Sequence, residues 1–529
     1  MSTIKVKQLS NSTVFGITAL FFALSLWGIM NHELWLDEAH HYLLARDSNS
    51  LKDLITHTRY EGHPIVWNLI LYWVTRVTVN PIWMQVLHIS IMTCTVSVFL
   101  KKAPFPLLFK LLFIFGYFMF YEYNILSRNY NLGILFVFLA CSFYQNRTAK
   151  FILIATLLGI ASNSHAVFLI LASAMMFLLL LERYEVEKLK LSRKTWIGLL
   201  IFTTLAIISI IQIIPPTDTS FFERGKDITF LQKIPKSLSP FFKSIFLIPD
   251  ITQHSFWNTN ILVNYNKNIA GGFAIVSLVI PYLLFYKNKK IMWYVYIGII
   301  GVGVFFFISA LNAARYYGAL YLLLITALWF NNYKNPTSNA PIYAFAKAKK
   351  SFLQLPENIL KKIKPILIYS ILGLHFISGM YAYSMDIIHP FTTAKQSAQY
   401  LKKNHSTQKT ITAAGCSAAA LSAYIEKPIY YTGTNSFENY CRFNQPIINS
   451  SNEKGRTNTI ESIEQLLSKE QITSIIFITY IPYFDTTQGN TWIASQKKIK
   501  ITLLKQFNGS IIKKGNHYIY EISLHESTI

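Results

Sequence analysis

Apolar runs close to membrane-spanning length recur along the first 384 residues, separated by short segments rich in Lys and Arg. A spanning helix needs about 20 apolar residues, with a lower limit near 17. This repetition constrains the chain more than any single motif, because in lipid every backbone polar group must be satisfied within the helix. Only 14% of residues are charged and 52% are hydrophobic, against about 25% charged in soluble domains. The expected fold class is a polytopic α-helical membrane protein of about eleven spans. The net charge of +24 would suggest a nucleic-acid partner in a soluble chain. Here the basic residues sit between apolar runs, which points to topology and anionic lipid instead.

Helix 1 is expected over 14–31, uncleaved, with Lys5 and Lys7 holding the N-terminus in the cytoplasm. Residues 32–80 form an outer segment, within which 65–79 is too short to span and reads as half-inserted. Further spans are expected over 82–100, 107–121, 131–146, 151–163, 166–181, 196–214, 269–286, 291–310, 316–330 and 366–384. Basic residues fall at alternate ends: Lys101, Lys102 and Lys110; Arg147 and Lys150; Arg183, Lys188, Lys190, Arg193 and Lys194; Lys287, Lys289 and Lys290; and a basic loop reaching Lys364. Loop 215–268 falls outside with its own basic residues, among them Arg224, Lys226 and Lys243. The domain division is a transmembrane unit, 1–384, and a soluble α/β unit, 385–529, on the extracytoplasmic side. In the latter, strands are expected at Thr410–Ala414, Ile429–Tyr431, Ser474–Thr479, Ile501–Leu504 and His517–Ile522, with helices at Ser417–Ile425 and Ile460–Ser468. In an oxidising space Cys416 and Cys441 either pair or remain two thiols.

Four clusters interrupt the apolar pattern, all at outer helix ends. Asp37 and Glu38 follow helix 1, and an ionisable pair at that depth is costly unless it has a function. A carboxylate there can accept a proton from a hydroxyl within hydrogen-bond reach. Adjacent side chains diverge, so one acid faces an acceptor and the other is left for a basic partner. His63 and Pro64 form a helix-entry turn, in which His63 orients an acid, donates to a phosphate, or is structural. Glu122, Arg128 and Tyr130 lie in the next outer segment, where Glu122 and Arg128 either pair with each other or bind substrate. Asn312-Ala-Ala-Arg-Tyr-Tyr317 places Arg315 and Tyr316 at the start of a late helix, and arginine grips phosphate with a planar fork. Glycine-rich phosphate loops and zinc-spaced Cys/His sets are missing, so no metal ligands are assigned and a divalent metal stays unsupported.

Taken in order, these clusters resemble the GT-C superfamily of polyprenyl-phosphate-dependent glycosyltransferases, near the protein O-mannosyltransferases and the lipid A aminoarabinose transferases. The family's Asp-Glu pair is matched by Asp37 and Glu38, its His-Pro turn by His63 and Pro64, and its late Arg-Tyr pair by Arg315 and Tyr316. Its Glu-x-Arg-x-Tyr-like element is matched by Arg128 and Tyr130, while Glu122 lies further upstream than the usual acid and Leu126 nearer its place. The resemblance implies a multi-pass inner-membrane enzyme that moves a hexose or pentose from a polyprenyl-phosphate donor to a hydroxyl of an envelope glycan, lipid or protein. It also implies inversion, with Asp37 as general base, Glu38 beside it, Glu122 and His63 in support, and Arg315, Tyr316, Arg128 and Tyr130 at the donor phosphate. The competing reading is a membrane transporter or lipid flippase, which would place ionisable residues near helix centres and show repeat symmetry.

Overall fold

The computed structural model describes residues 8–187, 191–217, 228–309, 313–333, 356–404, 406–442, 453–483, 491–494 and 499–524. Lys188, Lys190, Arg224, Lys226, Asn312 and the part of the basic loop over 334–355 lie outside the described residues.

The chain opens with α1, Asn11–Asn31, whose N-terminal amides are capped by the Ser10 hydroxyl. Phe15, Leu20, Trp27 and Met30 stay exposed along it, as suits a helix whose outer face meets lipid. The short helices α2 (Leu36–Asp47), α3 (Leu51–Thr58) and α4 (Val66–Val77) follow. At 1.5 Å per residue α4 is about 18 Å long and does not reach across a hydrocarbon core of about 30 Å. Next come α5 (Ile82–Lys102) and α6 (Leu107–Ile114), after which the chain breaks and resumes as a π-helical turn, Tyr117–Glu122. The expected single helix over 107–121 is therefore two pieces. The break sits where another helix crosses closely. A Cβ on Gly379 would lie 2.7 Å from the Tyr117 amide nitrogen, so only glycine admits the two backbones at that distance.

The bundle continues with α7 (Tyr130–Ser142), α8 (Phe151–Ser162), α9 (Ala166–Val186) and α10 (Arg193–Ile213). Within the expected outer loop lies an amphipathic helix, α11 (Phe230–Ile245), followed by the short α12 (Ile261–Tyr265). The span expected over 269–286 is divided into α13 (Lys267–Ser277) and α14 (Ile280–Phe285), with Pro281 at the start of the second piece. The membrane part closes with α15 (Lys289–Ser309), α16 (Ala314–Asn332) and α17 (Glu357–Ile388). Among the described residues, six helices are long and apolar enough to cross a membrane: α1, α5, α9, α10, α15 and α17.

Basic segments gather at one end of this bundle. Arg147 pairs with Glu182 at 2.5 Å, Arg183 donates to the Thr148 carbonyl, Lys290 pairs with Glu185, and the Tyr333 hydroxyl donates to the Lys102 carbonyl. The opposite end carries the C-terminus of α1, the N-termini of α2 and α16, and the C-terminus of α17.

Beyond α17 come α18 (Ala394–Lys403), β1 (Thr410–Ala413), α19 (Ala419–Ile425), β2 (Ile429–Tyr431), β3 (Ser436–Glu438), α20 (Glu453–Lys469), β4 (Ser474–Thr479), β5 (Thr491–Ala494), β6 (Ile499–Phe507) and β7 (His517–Leu524). The strands make one mixed sheet, ordered β3-β2-β1-β4-β7-β6-β5. β1 runs parallel to β2 and β4, and every other pair is antiparallel. A disulfide joins Cys416 to Cys441.

Candidate active site

The turn into α2 separates the two adjacent acids. Trp35 is the N-cap, and Glu38, three residues on, reaches back to accept from the Trp35 amide at 3.0 Å. This is the carboxylate half of a capping box. Glu38 is fully buried and also accepts from the Ser127 amide at 2.5 Å and lies 3.0 Å from His32 Nε2. His32, which ends α1, has its other ring nitrogen 2.7 Å from Asp386 near the end of α17. Burial opposes charge on this imidazole, but the carboxylates of Asp386 and Glu38 outweigh it and push its pKa up to about 10. Glu38 thus binds three chain segments together and offers no oxygen to solvent. Asp37, about 100° around the helix from it, faces the other way.

Asp37 meets Arg128 in an ion pair and lies 3.4 Å from the Arg315 guanidinium, with about a fifth of its side chain still exposed. Burial alone would raise its pKa, but the two guanidiniums hold the carboxyl well below the usual carboxylate range. Arg128 is set by its loop, which is fixed from four sides. Asn124 donates to the Ser25 hydroxyl of α1 at 2.7 Å, and Ser127 donates to Glu38. His88 of α5 has ring nitrogens 3.2 and 3.0 Å from the Asn124 and Arg128 carbonyls, and Asn129 donates to the Ser164 carbonyl at 2.6 Å. Arg315 sits in the first turn of α16. Its carbonyl accepts from the Tyr123 hydroxyl at 2.6 Å, and its guanidinium lies over the rings of Trp35 and Tyr316 at 4.9 and 4.8 Å. Arg128 lies over Trp35 and Tyr130 at 5.8 and 5.7 Å. Such cation–π contacts hold a guanidinium plane without consuming its N–H donors.

Glu122 does not pair with Arg128. The π-helical turn aims it at Trp257 and Tyr117, which donate to one of its oxygens at 3.0 and 3.1 Å. Single π-turns often mark functional sites. The Trp257 ring stands edge-on to Trp35, 4.7 Å between centres, so the loop after α11 reaches the wall of the site. His63 lies 3.5 Å from the Arg128 guanidinium and is tilted against His165, 4.5 Å between ring centres. His165 in turn neighbours Tyr130 and Tyr316 at 4.8 and 5.3 Å.

Every candidate residue except Glu38 and Glu122 therefore lines one pocket: Asp37, Arg128, Arg315, His63, Tyr130 and Tyr316. His165, Trp257, His32 and Asp386 had no spacing to announce them, and the only signal for His165 was a polar Asn-Ser-His between two apolar runs. Among the described residues, several buried polar atoms of this pocket lack partners: Arg128 Nε, Arg315 Nε, Tyr130 Oη, His41 Nε2, His63 Nδ1 and His165 Nε2. Buried polar atoms are nearly always hydrogen-bonded, so a concentration of exceptions points to a ligand-binding surface. Among the described residues no group of three His, Cys, Asp or Glu side chains is placed to hold a metal ion. Chemically, the pocket combines an ionised carboxylate, two fixed cations and several neutral donors.

No protein-family model matches the chain, and no curated protein matches it. Among solved structures it is similar to ArnT from Cupriavidus metallidurans in the apo state, at 12% identity and a TM-score of 0.44, over 97% of this chain and 98% of that one. A likeness so distant carries no residue roles across.

Proposed function

We propose that the chain is an integral-membrane inverting glycosyltransferase. It moves a sugar from a polyprenyl-phosphate donor to a hydroxyl of an envelope glycan, lipid or protein, on the extracytoplasmic side of the inner membrane. The observation that supports this most directly is Asp37 held between Arg128 and Arg315 in a pocket lined by unpartnered polar atoms. The gathering of basic segments at the other end of the bundle supports the side, since such segments favour the cytoplasm.

In this reading the two guanidiniums and one carboxylate leave a net charge of +1, complementary to a phosphodiester. Arg128 and Arg315 take its oxygens, and Asp37 is released from its pairing to meet the acceptor. As the acceptor oxygen bonds to the anomeric carbon, its proton passes to Asp37, and the bond from that carbon to the phosphate oxygen breaks. The electron pair leaves on the polyprenyl phosphate, whose charge grows from −1 toward −2. The arginines therefore bind the transition state more strongly than the ground state, which is the condition for catalysis. Attack from the face opposite the phosphate inverts the anomeric centre, as in inverting hydrolysis with a hydroxyl replacing water. Glu38 acts at one remove by fixing the α2 turn, and Glu122 by fixing Trp257.

The test is Asp37→Asn in the purified protein, with donor binding and sugar transfer measured together. The expected result is retained donor binding with turnover down by about 10²–10⁴, the usual weight of a general base. Near-normal turnover would remove Asp37 from the chemistry.

A further inference from the structure

We propose that His63 and His165, flanked by the Tyr130 ring, form the subsite for the transferred sugar. They take it through uncharged N–H donors, so the sugar presents oxygen acceptors and carries no ammonium group. This rests on the glycosyltransferase reading above and specifies its substrate class.

The hydrogen bonds at each ring assign its proton. His165 caps α9, and its Nδ1 accepts from the Val167 amide at 3.2 Å. That nitrogen therefore carries the lone pair, and the proton resides on Nε2. His63 Nε2 lies 3.5 Å from Arg128 Nη2, which can only donate, so the His63 proton resides on Nδ1. Both proton-bearing nitrogens, His165 Nε2 and His63 Nδ1, are buried and without a partner among the described residues. The two rings are 4.5 Å apart, and Tyr130, 4.8 Å from His165, adds a third buried polar atom without a partner among the described residues. Two N–H donors beside a phenol hydroxyl suit a sugar, whose hydroxyl oxygens accept and whose O–H groups donate.

The two rings offer an ammonium group no acceptor. Burial, then His165 and Arg128, push His63 well below the ordinary histidine value; burial, then Arg128 and Arg315, do the same to His165. Both rings are therefore neutral, with burial the larger cause and the neighbouring positive charge adding to it. Neither proton-bearing nitrogen can accept from an ammonium, and a donor facing a donor is repelled.

The experiment measures binding to the full-length protein in detergent by calorimetry, with three probes of one chain length. These are a polyprenyl methyl phosphodiester, a polyprenyl phosphohexose with a neutral sugar, and a polyprenyl phospho-aminosugar. His165→Asn keeps a helix cap and withdraws the donor from the Nε2 position, its amide being shorter than the imidazole, and His63→Phe keeps a ring and removes its N–H. The expected result is that the phosphohexose binds the wild type about tenfold or more tighter than the methyl diester, equivalent to about 1.4 kcal/mol. In each variant the ratio of hexose to methyl-diester affinity should lose most of that increment, and the aminosugar probe should gain nothing over the methyl diester. Tightest binding of the aminosugar, or an undiminished hexose increment in both variants, overturns the subsite while leaving the phosphate grip intact. Failure of the methyl diester to bind the wild type instead overturns the donor reading on which the subsite rests.

Discussion

If the donor phosphate displaces Asp37 from its arginines, the acidity of Asp37 must differ between free and donor-bound protein, and pH profiles can read that difference. In the free protein the carboxylate is ionised and held low by Arg128 and Arg315. A unit charge pair at the 3.4 Å Asp37–Arg315 separation is worth roughly 5 kcal/mol at an effective dielectric of about 20, before geometry and screening reduce it. Measured neighbours of this kind shift a carboxylate by about 1–3 units, the range adopted here. A bound phosphodiester cancels one unit of that positive charge, so Asp37 rises by about 1–3 units, and burial, which already favours its neutral form, raises it further. The sign follows: a base works unprotonated, so rate is lost as pH falls through its pKa. kcat/KM reports the free protein and kcat the complex. The acid limb of kcat should therefore lie about 1–3 units higher in pH than that of kcat/KM. Initial rates from about pH 2 to 8, at limiting and saturating donor, measure both limbs. Coincident limbs would mean that donor binding leaves the field at Asp37 unchanged, and the displacement argument would fail.

Arg315→Gln removes one charge-assisted contact to the phosphate and should weaken donor binding by about 10–150-fold, the equivalent of about 1.5–3 kcal/mol; unchanged affinity would take Arg315 out of the phosphate site. His32 has a raised pKa, so the folded protein keeps a proton that the unfolded chain loses above about pH 6.5. Its stabilisation is full below that value and disappears as pH rises toward about 10. Thermal melts over this window should show stability falling with pH, by at most about 1.4 kcal/mol per unit, and His32→Gln should flatten that slope. Breaking the Cys416–Cys441 bond opens a loop spanning 25 residues, which should cost the sheet domain about 3.5 kcal/mol by the chain-entropy relation. Melts of a Cys416→Ser, Cys441→Ser double variant, and the mass change on alkylation with and without reductant, check it.

Much of the helical frame was legible because lipid leaves few options: an apolar run must close its own hydrogen bonds, and α1, α5, α9, α10, α15 and α17 lie where apolar length demands. The breaks were not legible. Gly116 is a weak helix former, but a lone glycine in an apolar run is no stop signal, and the close crossing of α17 at Gly379 beside it is a tertiary feature that no local pattern announces. α11 was hidden in a loop by Pro235 and Pro240 inside it. Short strands β3 and β5 have too few residues for a period-two pattern to stand out. At the site, Asp37, Arg128 and Arg315 were visible because charge is expensive at helix ends in a membrane. The separate fates of Asp37 and Glu38 were half visible, since adjacent side chains must diverge, but which one turns inward depended on the capping geometry at Trp35. His165 and Trp257 became site residues only through packing between distant segments.

That packing also ties the C-terminal domain to the segment that carries Asp37. Four contacts from beyond α17 converge on the few residues that carry Asp37. The Tyr424 hydroxyl of α19 accepts from the Leu34 amide at 3.0 Å, and Thr392 donates to the Leu34 carbonyl at 2.9 Å. The Lys395 amide, in the first turn of α18, donates to Glu33 at 2.9 Å. Tyr440, next to the disulfide cysteine Cys441, packs on His57 and His40 at 5.2 and 6.0 Å between ring centres. From the membrane side the same turn is held by His32, Asp386 and the Ser127 amide. A base that must meet one hydroxyl at one angle tolerates little displacement, since about 1 Å of misplacement can cost 10²-fold in rate. A loop leaving a single transmembrane helix would not hold that tolerance alone. Clamped between the helical bundle and the C-terminal domain, the turn is held from both sides, and on the proposed reading that domain is the second jaw of the clamp.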